Sequence, residues 1–270
     1  MNRVIVTGAA GHLGKKVFNH LKGESGYQVI GLDIRDVPEP DIHVADFSEY
    51  GSWIEHLNQG DIVIHLAADR EPTATWGSAI HNNINGTLNL FQACAERGVK
   101  RLVFASSNWV HGGYRFSDEV LTPSLPAYPV NAYGSAKLFG ELAGKHFSKH
   151  HGLSVICLRI GWTQWTHDNQ PGEHMAMGIW GQEMWLSDRD FLDGVQKSVD
   201  AHDVPYAIIN LVSNNRGMRW DIESTKQVIG YKPQDSFAPS IGISTKIKSV
   251  LKNALVYKLP RFFDRIMAEW

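Results

Sequence analysis

Residues 3–14 have the sequence RVIVTGAAGHLG, an apolar run that passes directly into a turn containing three glycines. A continuous apolar run is typical of a strand buried on both faces in a parallel sheet. In the turn, Gly8 allows the sharp bend, Gly11 lets the backbone approach a pyrophosphate, and Gly14 lets helix and strand pack closely. The segment therefore predicts a strand, a phosphate-binding turn and a helix.

The same alternation of apolar runs and helical patterns continues along the chain. Predicted strands follow at 28–32, 42–45, 61–66, 101–105, 154–159 and 206–212. Predicted helices lie at about 12–23, 53–58, 78–97, 131–150, 188–202 and 222–229. This rhythm predicts an α/β fold, a doubly wound parallel sheet of the Rossmann type with a small C-terminal substrate subdomain. We expect residues 1–160 to form the nucleotide-binding core with the catalytic residues, 161–240 the interleaved substrate lid and subdomain, and 241–270 a basic tail. Within the second segment, 161–186 is predicted to be a lid rather than core.

The composition of the 270 residues limits the class of protein. With 43% hydrophobic and 20% charged residues, the chain is an ordinary globular sequence. A formal net charge of -2 provides no overall field that would draw the molecule to nucleic acid. Two cysteines cannot form a disulfide framework, the N-terminus does not resemble a signal peptide, and no apolar run is long enough to span a membrane. We therefore expect a cytoplasmic protein.

Acidic residues follow the second and third predicted strands. Asp33 lies about 20 residues after Gly14, where a carboxylate hydrogen-bonds ribose hydroxyls and repels a 2′-phosphate. NAD is therefore favoured over NADP, although Arg35 nearby argues the other way. Asp46 and Phe47 follow the third strand and could contact adenine, but Asp46 could equally be a helix N-cap.

Tyr133 and Lys137 are four residues apart, so a helix places both side chains on one face. For Tyr133 to act as a base near neutral pH, its pKa must fall by roughly 3 units from its ordinary value near 10. An adjacent ammonium group and a positive nicotinamide ring would lower that pKa. Ser107 ends the fifth strand, where it could donate a hydrogen bond to a reacting oxygen or simply cap the turn.

The motifs TGAAGHLG (7–14), HLAA (65–68), NNINGTLNL (82–90), FASSN (104–108), YGSAK (133–137) and LRIG (158–161) resemble the extended short-chain dehydrogenase/reductase superfamily. This resemblance implies a catalytic triad of Ser107, Tyr133 and Lys137, the last two also touching the cofactor NAD. It implies further NAD contacts from Gly8, Gly11, His12, Leu13, Gly14, Asp33, Ile34, Asp46, Phe47, Leu66, Ala67, Ala68, Asn83 and Ile160.

A narrower likeness joins these motifs to MWLSDRDF (184–191) and GYKPQDSF (230–237). Together they resemble the uronate dehydrogenases and the archaeal NAD-linked glucose-6-phosphate dehydrogenases, which oxidise the C1 hydroxyl of a cyclic sugar to a lactone. The likeness implies substrate contacts from Arg70, Ser107, Asn108 and Trp180.

Two departures concern the substrate. Trp109 stands where the family has histidine, and Trp180 where both relatives have an arginine that, in the uronate enzymes, holds the substrate carboxylate. No Lys or Arg occurs from 160 to 188, so an anionic substrate would have to be held by Arg70. Four tryptophans could stack on a sugar or fill the lid's own core: Trp162, Trp165, Trp180 and Trp185.

These patterns predict an NAD-dependent oxidoreductase acting on a monosaccharide, whether aldose, uronate or sugar phosphate. The alternatives are a nucleotide-sugar epimerase or dehydratase, which needs a roomier C-terminal region, and a non-catalytic NAD-sensing regulator, which needs no base at Tyr133. The family resemblance implies a homo-oligomer paired through two long helices. We expect no metal site, since the helix-end and lid histidines lack the spacing of ligands: His146, His150, His151, His167 and His174.

The tail is strongly basic. From Lys246 to Trp270 it holds six positive and two negative side chains. Apolar residues recur at helical spacing: Ile247, Val250, Leu251, Ala254 and Leu255. The favoured interpretation is a helix packed on its own protein or on another subunit, and the alternative is a helix on a membrane surface or partner.

Overall fold

The computed structural model describes residues 1–166, 169–171, 179–238, 242–255 and 259. Their strands are β1 (Asn2–Thr7), β2 (Tyr27–Asp33), β3 (Ile42–Val44), β4 (Ile62–His65), β5 (Arg101–Ser107), β6 (Ser154–Ile160) and β7 (Tyr206–Leu211). Their α-helices are α1 (His12–Lys22), α2 (Trp76–Ser78), α3 (Gly86–Glu96), α4 (Ala132–His151), α5 (Ile179–Glu183), α6 (Asp188–Asp200), α7 (Glu223–Ile229) and α8 (Ile243–Asn253). Short 3₁₀ helices span Ser52–His56 and Asn108–Tyr114, and a π-helix, Ala79–Asn85, joins α2 to α3.

The strands form one parallel sheet in the order β3-β2-β1-β4-β5-β6-β7. The chain first moves outward from β1 through β2 to β3, and then crosses back to β4 on the other side of β1. At such a switch point the loops on either side diverge and leave a crevice at the carboxyl ends of the strands. The predicted doubly wound Rossmann fold is therefore confirmed, and the crevice is where a ligand is expected.

Alternate residues of the central strands supply two separate cores, one on each face of the sheet. Val4 and Ile64 belong to the core beneath α1 and α6, whereas Ile5, Val63 and Phe104 belong to the core beneath α3 and α4. All five side chains are almost completely buried. Since both faces are covered by helices, these strands need apolar residues at every position.

Two helix predictions differ from the structure. The pattern at 78–97 predicts one helix, but its first part is the π-helix Ala79–Asn85, and periodicity does not distinguish the two forms. The pattern at 53–58 is the 3₁₀ helix Ser52–His56.

The prediction that 161–186 is lid rather than core is wrong for its described end. Trp162 and Trp185 form a β-bridge, and Met184, Trp185 and Leu186 are buried. These apolar side chains pack because they adjoin β7, which extends the sheet beyond β6. His167 and His174 lie outside the described residues, as do Lys258, Arg261 and Arg265 of the tail.

Candidate active site

A cleft with a volume of about 980 Å³ opens at the carboxyl ends of the strands, on both sides of the switch point. Most of the predicted site residues line it: Gly8, Gly11, His12, Leu13, Gly14, Asp33, Ile34, Asp46, Phe47, Leu66, Ala67, Ala68, Arg70, Ser107, Asn108, Tyr133 and Ile160. We call the part near Tyr133, Trp162 and Trp165 the substrate end.

The backbone of the glycine turn is packed so closely that side chains would not fit at its glycines. Gly8 has a φ of +68°, and its amide donates to the Leu32 carbonyl at 2.7 Å. A Cβ atom on Gly14 would lie 1.9 Å from the Gly8 carbonyl oxygen. Helix α1 begins immediately after the turn with no side-chain cap and no acid in its first turn. Its free amides and positive dipole end suit a pyrophosphate.

Asp33 is buried at the end of β2 and has several partners. Its Oδ2 accepts from the amide of Ala10 at 2.9 Å, which joins the carboxylate to the glycine turn. Its Oδ1 accepts from the Arg35 amide and Nε at 3.0 and 3.1 Å. The carboxylate is thus fixed where a ribose would bind, and an ion pair with Arg35, whose side chain is 56% exposed, already occupies part of it.

Asp46 and Phe47 line the same part of the cleft as Asp33, where a nucleotide is expected. Asp46 accepts hydrogen bonds from the Ser48 amide at 2.9 Å and hydroxyl at 2.7 Å, which lower the pKa of its carboxyl group. The helix that follows is capped by Gly51, so Asp46 is not its N-cap. Phe47 and Ile34 both line the cleft, and their apolar side chains would suit an adenine.

Helix α4 holds Tyr133 and Lys137 against the end of β5. Asn131 caps the helix by accepting from the Gly134 amide at 2.7 Å. A Cβ atom on Gly140 would lie 2.2 Å from the Phe104 ring, so glycine lets α4 pack closely on the sheet. The Lys137 ammonium group lies 5.6 Å from the Tyr133 ring centre and 5.2 Å from that of Phe104.

A buried charge network that the sequence did not indicate fixes the same helix. Glu141, one turn after Lys137, accepts from Arg159 Nε and Nη2, both at 2.8 Å, and from the Ser106 hydroxyl at 2.6 Å. These contacts tie α4 to β5 and β6 directly beneath Ser107. The sequence does not indicate that Glu141 and Arg159 pair, because they lie on different elements. The fold identifies them as positioning residues.

The ionisable groups of the site are shifted by burial. Burial raises the pKa of Tyr133 to about 12, an effect that Ser107 opposes through a hydrogen bond and that Asp69 and Glu71 reinforce. Burial lowers the pKa of Lys137 to about 8. The pKa of Tyr133 rises because loss of hydration penalises a phenolate more than the surrounding protein groups stabilise it. The lowering of this pKa by an adjacent ammonium group and a nicotinamide ring stays a prediction.

Ser107 points into the cleft from the last position of β5. Its hydroxyl accepts from the Trp109 amide at 3.2 Å and lies 3.4 Å from Asn108 Oδ1. Ser107 therefore caps the following 3₁₀ helix and also faces Tyr133, and its donation of a hydrogen bond to a reacting oxygen stays a prediction.

Two predicted cofactor residues lie behind the wall of the cleft. Lys137 is buried beneath Tyr133. Asn83, on the π-helix, accepts from the Asp69 amide at 2.7 Å and donates to the Asp69 carbonyl at 2.9 Å. Asn83 therefore shapes the loop after β4 rather than lining the cleft.

The substrate prediction for Trp180 is wrong. Its indole is 7% exposed and packs 5.3 Å from the ring of Trp220, in a cluster with Leu121 and Met184. Its apolar surface is better satisfied there than at the cleft wall. Asn108 does reach the cleft, and its Nδ2 lies 2.8 Å from Met184 Sδ.

Arg70 closes the substrate end through stacking. Its guanidinium group lies 4.0 Å from the Trp165 ring centre, and the centre of the His12 ring lies 4.4 Å from that of Trp165 with the ring planes tilted by 38°. Arg70 also pairs with Glu71 at 3.4 Å. These contacts join the loop after β4, the loop after β6 and the start of α1.

Buried Lys16 holds the loop after β6 in place. Its ammonium group donates to the carbonyls of Gln164 at 3.1 Å and Thr166 at 3.3 Å, and to Asp188 at 2.5 Å. The sequence did not single out Lys16, since a helical lysine is normally solvated. Within the described residues, no group of three His, Cys, Asp or Glu side chains could hold a metal ion.

The NAD dependent epimerase/dehydratase family model matches residues 4–175. An L-arabinose 1-dehydrogenase (NAD(P)(+)) of Haloferax volcanii is 34% identical over 253 residues, covering 88% of this chain and 98% of that protein. An NAD-dependent glucose-6-phosphate dehydrogenase of the same organism is 32% identical, covering 87% of this chain and 94% of that protein. The crystal structure of a glucuronic acid dehydrogenase from Chromohalobacter salexigens superposes with a TM-score of 0.76 at 28% identity, covering 87% of this chain and 85% of that one.

Proposed function

Because the chain belongs to the NAD dependent epimerase/dehydratase family, we propose that its cleft oxidises the C1 hydroxyl of a monosaccharide to the lactone. The observation that carries the proposal is the joint position of Ser107, Tyr133 and Lys137 beside a cleft shaped for a dinucleotide. The glycine turn, the uncapped α1 and the fixed Asp33 carboxylate fit NAD, which would be held by the residues around them.

When bound, NAD supplies the acceptor for a hydride and a positively charged ring. Tyr133 as the phenolate takes the proton of the C1 hydroxyl, while the C1–H bond breaks with its electron pair and the C1–O bond becomes a carbonyl. Ser107 donates a hydrogen bond to the reacting oxygen. Lys137 supports the phenolate with positive charge, because its ammonium lies beneath the phenol ring. The positive charge of the nicotinamide ring would oppose the effect of burial, which raises the pKa of Tyr133.

For the substrate we propose a neutral aldose. Among the described residues that line the substrate end, Arg70 is the one Lys or Arg side chain, and it is stacked on Trp165 and paired with Glu71. Asp69 and Glu71 add negative charge close enough to raise the pKa of Tyr133. A carboxylate or phosphate on the sugar would face this negative charge without a cationic partner. Burying an unpaired charge in a desolvated site costs free energy.

The substrate test is a screen of neutral aldoses, uronates and aldose phosphates with NAD, read at the NADH absorbance band. We expect kcat/KM for the best neutral aldose to exceed that of any anionic sugar by at least about tenfold. A uronate or sugar phosphate as the best substrate would contradict a neutral substrate while leaving the C1 chemistry in place.

The chemistry itself is tested by Tyr133→Phe. We expect kcat to fall by roughly 10²–10⁴-fold, because the base is lost, while the Kd for NAD measured by calorimetry changes little. Tyr128→Phe is the matched control, since Tyr128 lies outside the cleft and is 46% exposed. Unchanged turnover in Tyr133→Phe would remove the proposed base.

We also propose a cytoplasmic homo-oligomer. Both cysteines, Cys94 and Cys157, are free and buried, which suits a reducing compartment. Leu88 on α3 and Leu142 on α4 are 41% and 61% exposed, which supports pairing through these helices.

A further inference from the structure

Helix α8 carries an apolar stripe that faces solvent. Ile243, Ile247, Val250 and Leu251 lie on it, and Leu255 continues it past the helix end. Their side chains are between 55% and 78% exposed. Spacings of four, three, one and four residues place them on one side of a helix. Exposed apolar residues that are contiguous in this way mark an interaction surface.

The chain's own described residues leave this stripe open. Helix α8 contacts α5, and the Lys252 ammonium group lies 5.2 Å from the Phe116 ring. The expectation that the tail packs on its own protein or on another subunit stays a prediction, since the contacts of α8 with its own chain leave the apolar stripe exposed. Exposing so much apolar surface on one helix is unfavourable in water unless a second surface covers it.

The charge of α8 selects the kind of surface. Lys246, Lys248 and Lys252 are exposed, and the segment 242–255 contains no Asp or Glu. Lys246 and Lys248 flank the stripe on opposite sides. When the stripe lies against a surface, their ammonium groups can therefore reach out from its edges while the apolar residues face that surface. An apolar stripe edged by lysines complements an anionic lipid headgroup layer above acyl chains.

We propose that α8 lies in the plane of a membrane surface that contains anionic lipids and holds the dehydrogenase there. Lys246 and Lys248 pair with lipid phosphates, and the stripe from Ile243 to Leu255 enters the headgroup boundary, while Lys252 stays beside Phe116. Within the described residues no helix has the length and apolar character to cross a bilayer. We propose a peripheral attachment.

The test is co-sedimentation of the full chain with vesicles of phosphatidylcholine alone or with one-third phosphatidylglycerol. Lys246 and Lys248 predict about thirtyfold stronger partitioning onto the anionic vesicles at low salt, at about 1 kcal/mol for each lysine. Lys246→Glu/Lys248→Glu is expected to abolish that preference, and Ile247→Glu/Leu251→Glu to release the protein from both vesicles. The matched control is Lys100→Glu/Lys145→Glu, which changes two exposed lysines elsewhere.

Other outcomes overturn the proposal. Equal binding to both vesicles, or no binding, contradicts an anionic lipid surface. If Ile247→Glu/Leu251→Glu instead lowers the oligomeric state by analytical ultracentrifugation, a second copy covers the stripe. The NAD-dependent rate in solution is expected to be the same for the α8 variants and the control.

Discussion

At the residue scale, burial shifts the pKa values of Tyr133 and Lys137 in opposite directions. The pKa of Tyr133 rises to about 12 and that of Lys137 falls to about 8, so burial favours the neutral form of both. Positive charge beside the phenol would therefore favour the phenolate. The sequence indicated both side chains, but their pKa values depend on burial and, for Tyr133, on the carboxylates of Asp69 and Glu71, which the motif does not contain.

We expect the cofactor preference to depend on a single carboxylate, that of Asp33. Asp33→Ala removes the repulsion of a 2′-phosphate and frees the Arg35 guanidinium group to pair with it. We expect the ratio of kcat/KM for NADP to that for NAD to rise about tenfold to a hundredfold, the value of one or two charge-assisted hydrogen bonds. Steady-state kinetics with both cofactors measures it, and Asp36→Ala, an exposed carboxylate outside the cleft, is the control. An unchanged ratio in Asp33→Ala would mean that Asp33 does not select the cofactor.

At the element scale, the shape of the cleft depends on loops that are fixed by contacts on the side away from the cleft. The strands and α4 were predictable, since their hydrophobic patterns are long and their ends are marked by motif residues. The π-helix and the course of the loop after β6 were not, because periodicity does not separate π from α and because long-range partners fix these segments. Trp180 illustrates this limit. Its position suggested a substrate contact, but packing against Trp220 removes it from the cleft.

Lys16 tests whether the loop after β6 is held as the structure indicates. Lys16→Met leaves the carbonyls of Gln164 and Thr166 and the Asp188 carboxylate without their shared cation. We expect the free energy of unfolding to fall by about 2–4 kcal/mol and NAD binding to weaken, because Trp165 on that loop lines the cleft. Urea unfolding and calorimetry measure the two effects.

The control on the same helix is Lys22→Met. Lys22 pairs with Glu39 and Asp41 at the surface, where its side chain is 41% exposed, so we expect little change in stability. Equal losses in the two variants would show that Lys16 has no special role.

At the scale of the whole molecule, the sheet topology was predictable because alternating apolar and helical patterns leave few arrangements of a parallel sheet. The interior of the molecule also contains polar side chains that the hydrophobic patterns did not reveal. His65 lies within β4 between the two halves of the fold, with Nδ1 2.8 Å from the Thr7 hydroxyl. His111 lies 2.9 Å from Arg159. The Thr7 hydroxyl also accepts from the amides of Leu66 and Ala67, so His65 supports the strand ends that form the cleft.

These two histidines predict that the stability of the whole fold falls in mild acid. Burial lowers the pKa of His65 to about 3 and that of His111 to about 4. Between pH 6.5 and about 4 the unfolded chain binds protons that the native protein excludes, so the free energy of unfolding decreases as the pH falls. By pH 5 we expect each histidine to contribute a loss of about 2 kcal/mol relative to pH 7. Urea unfolding at the two pH values measures the loss.

His65→Gln should reduce this loss by about 2 kcal/mol, because glutamine does not titrate, whereas His81→Gln, at an exposed position, should leave it unchanged. If His65→Gln retains the full pH dependence, His65 is not held neutral in the native protein.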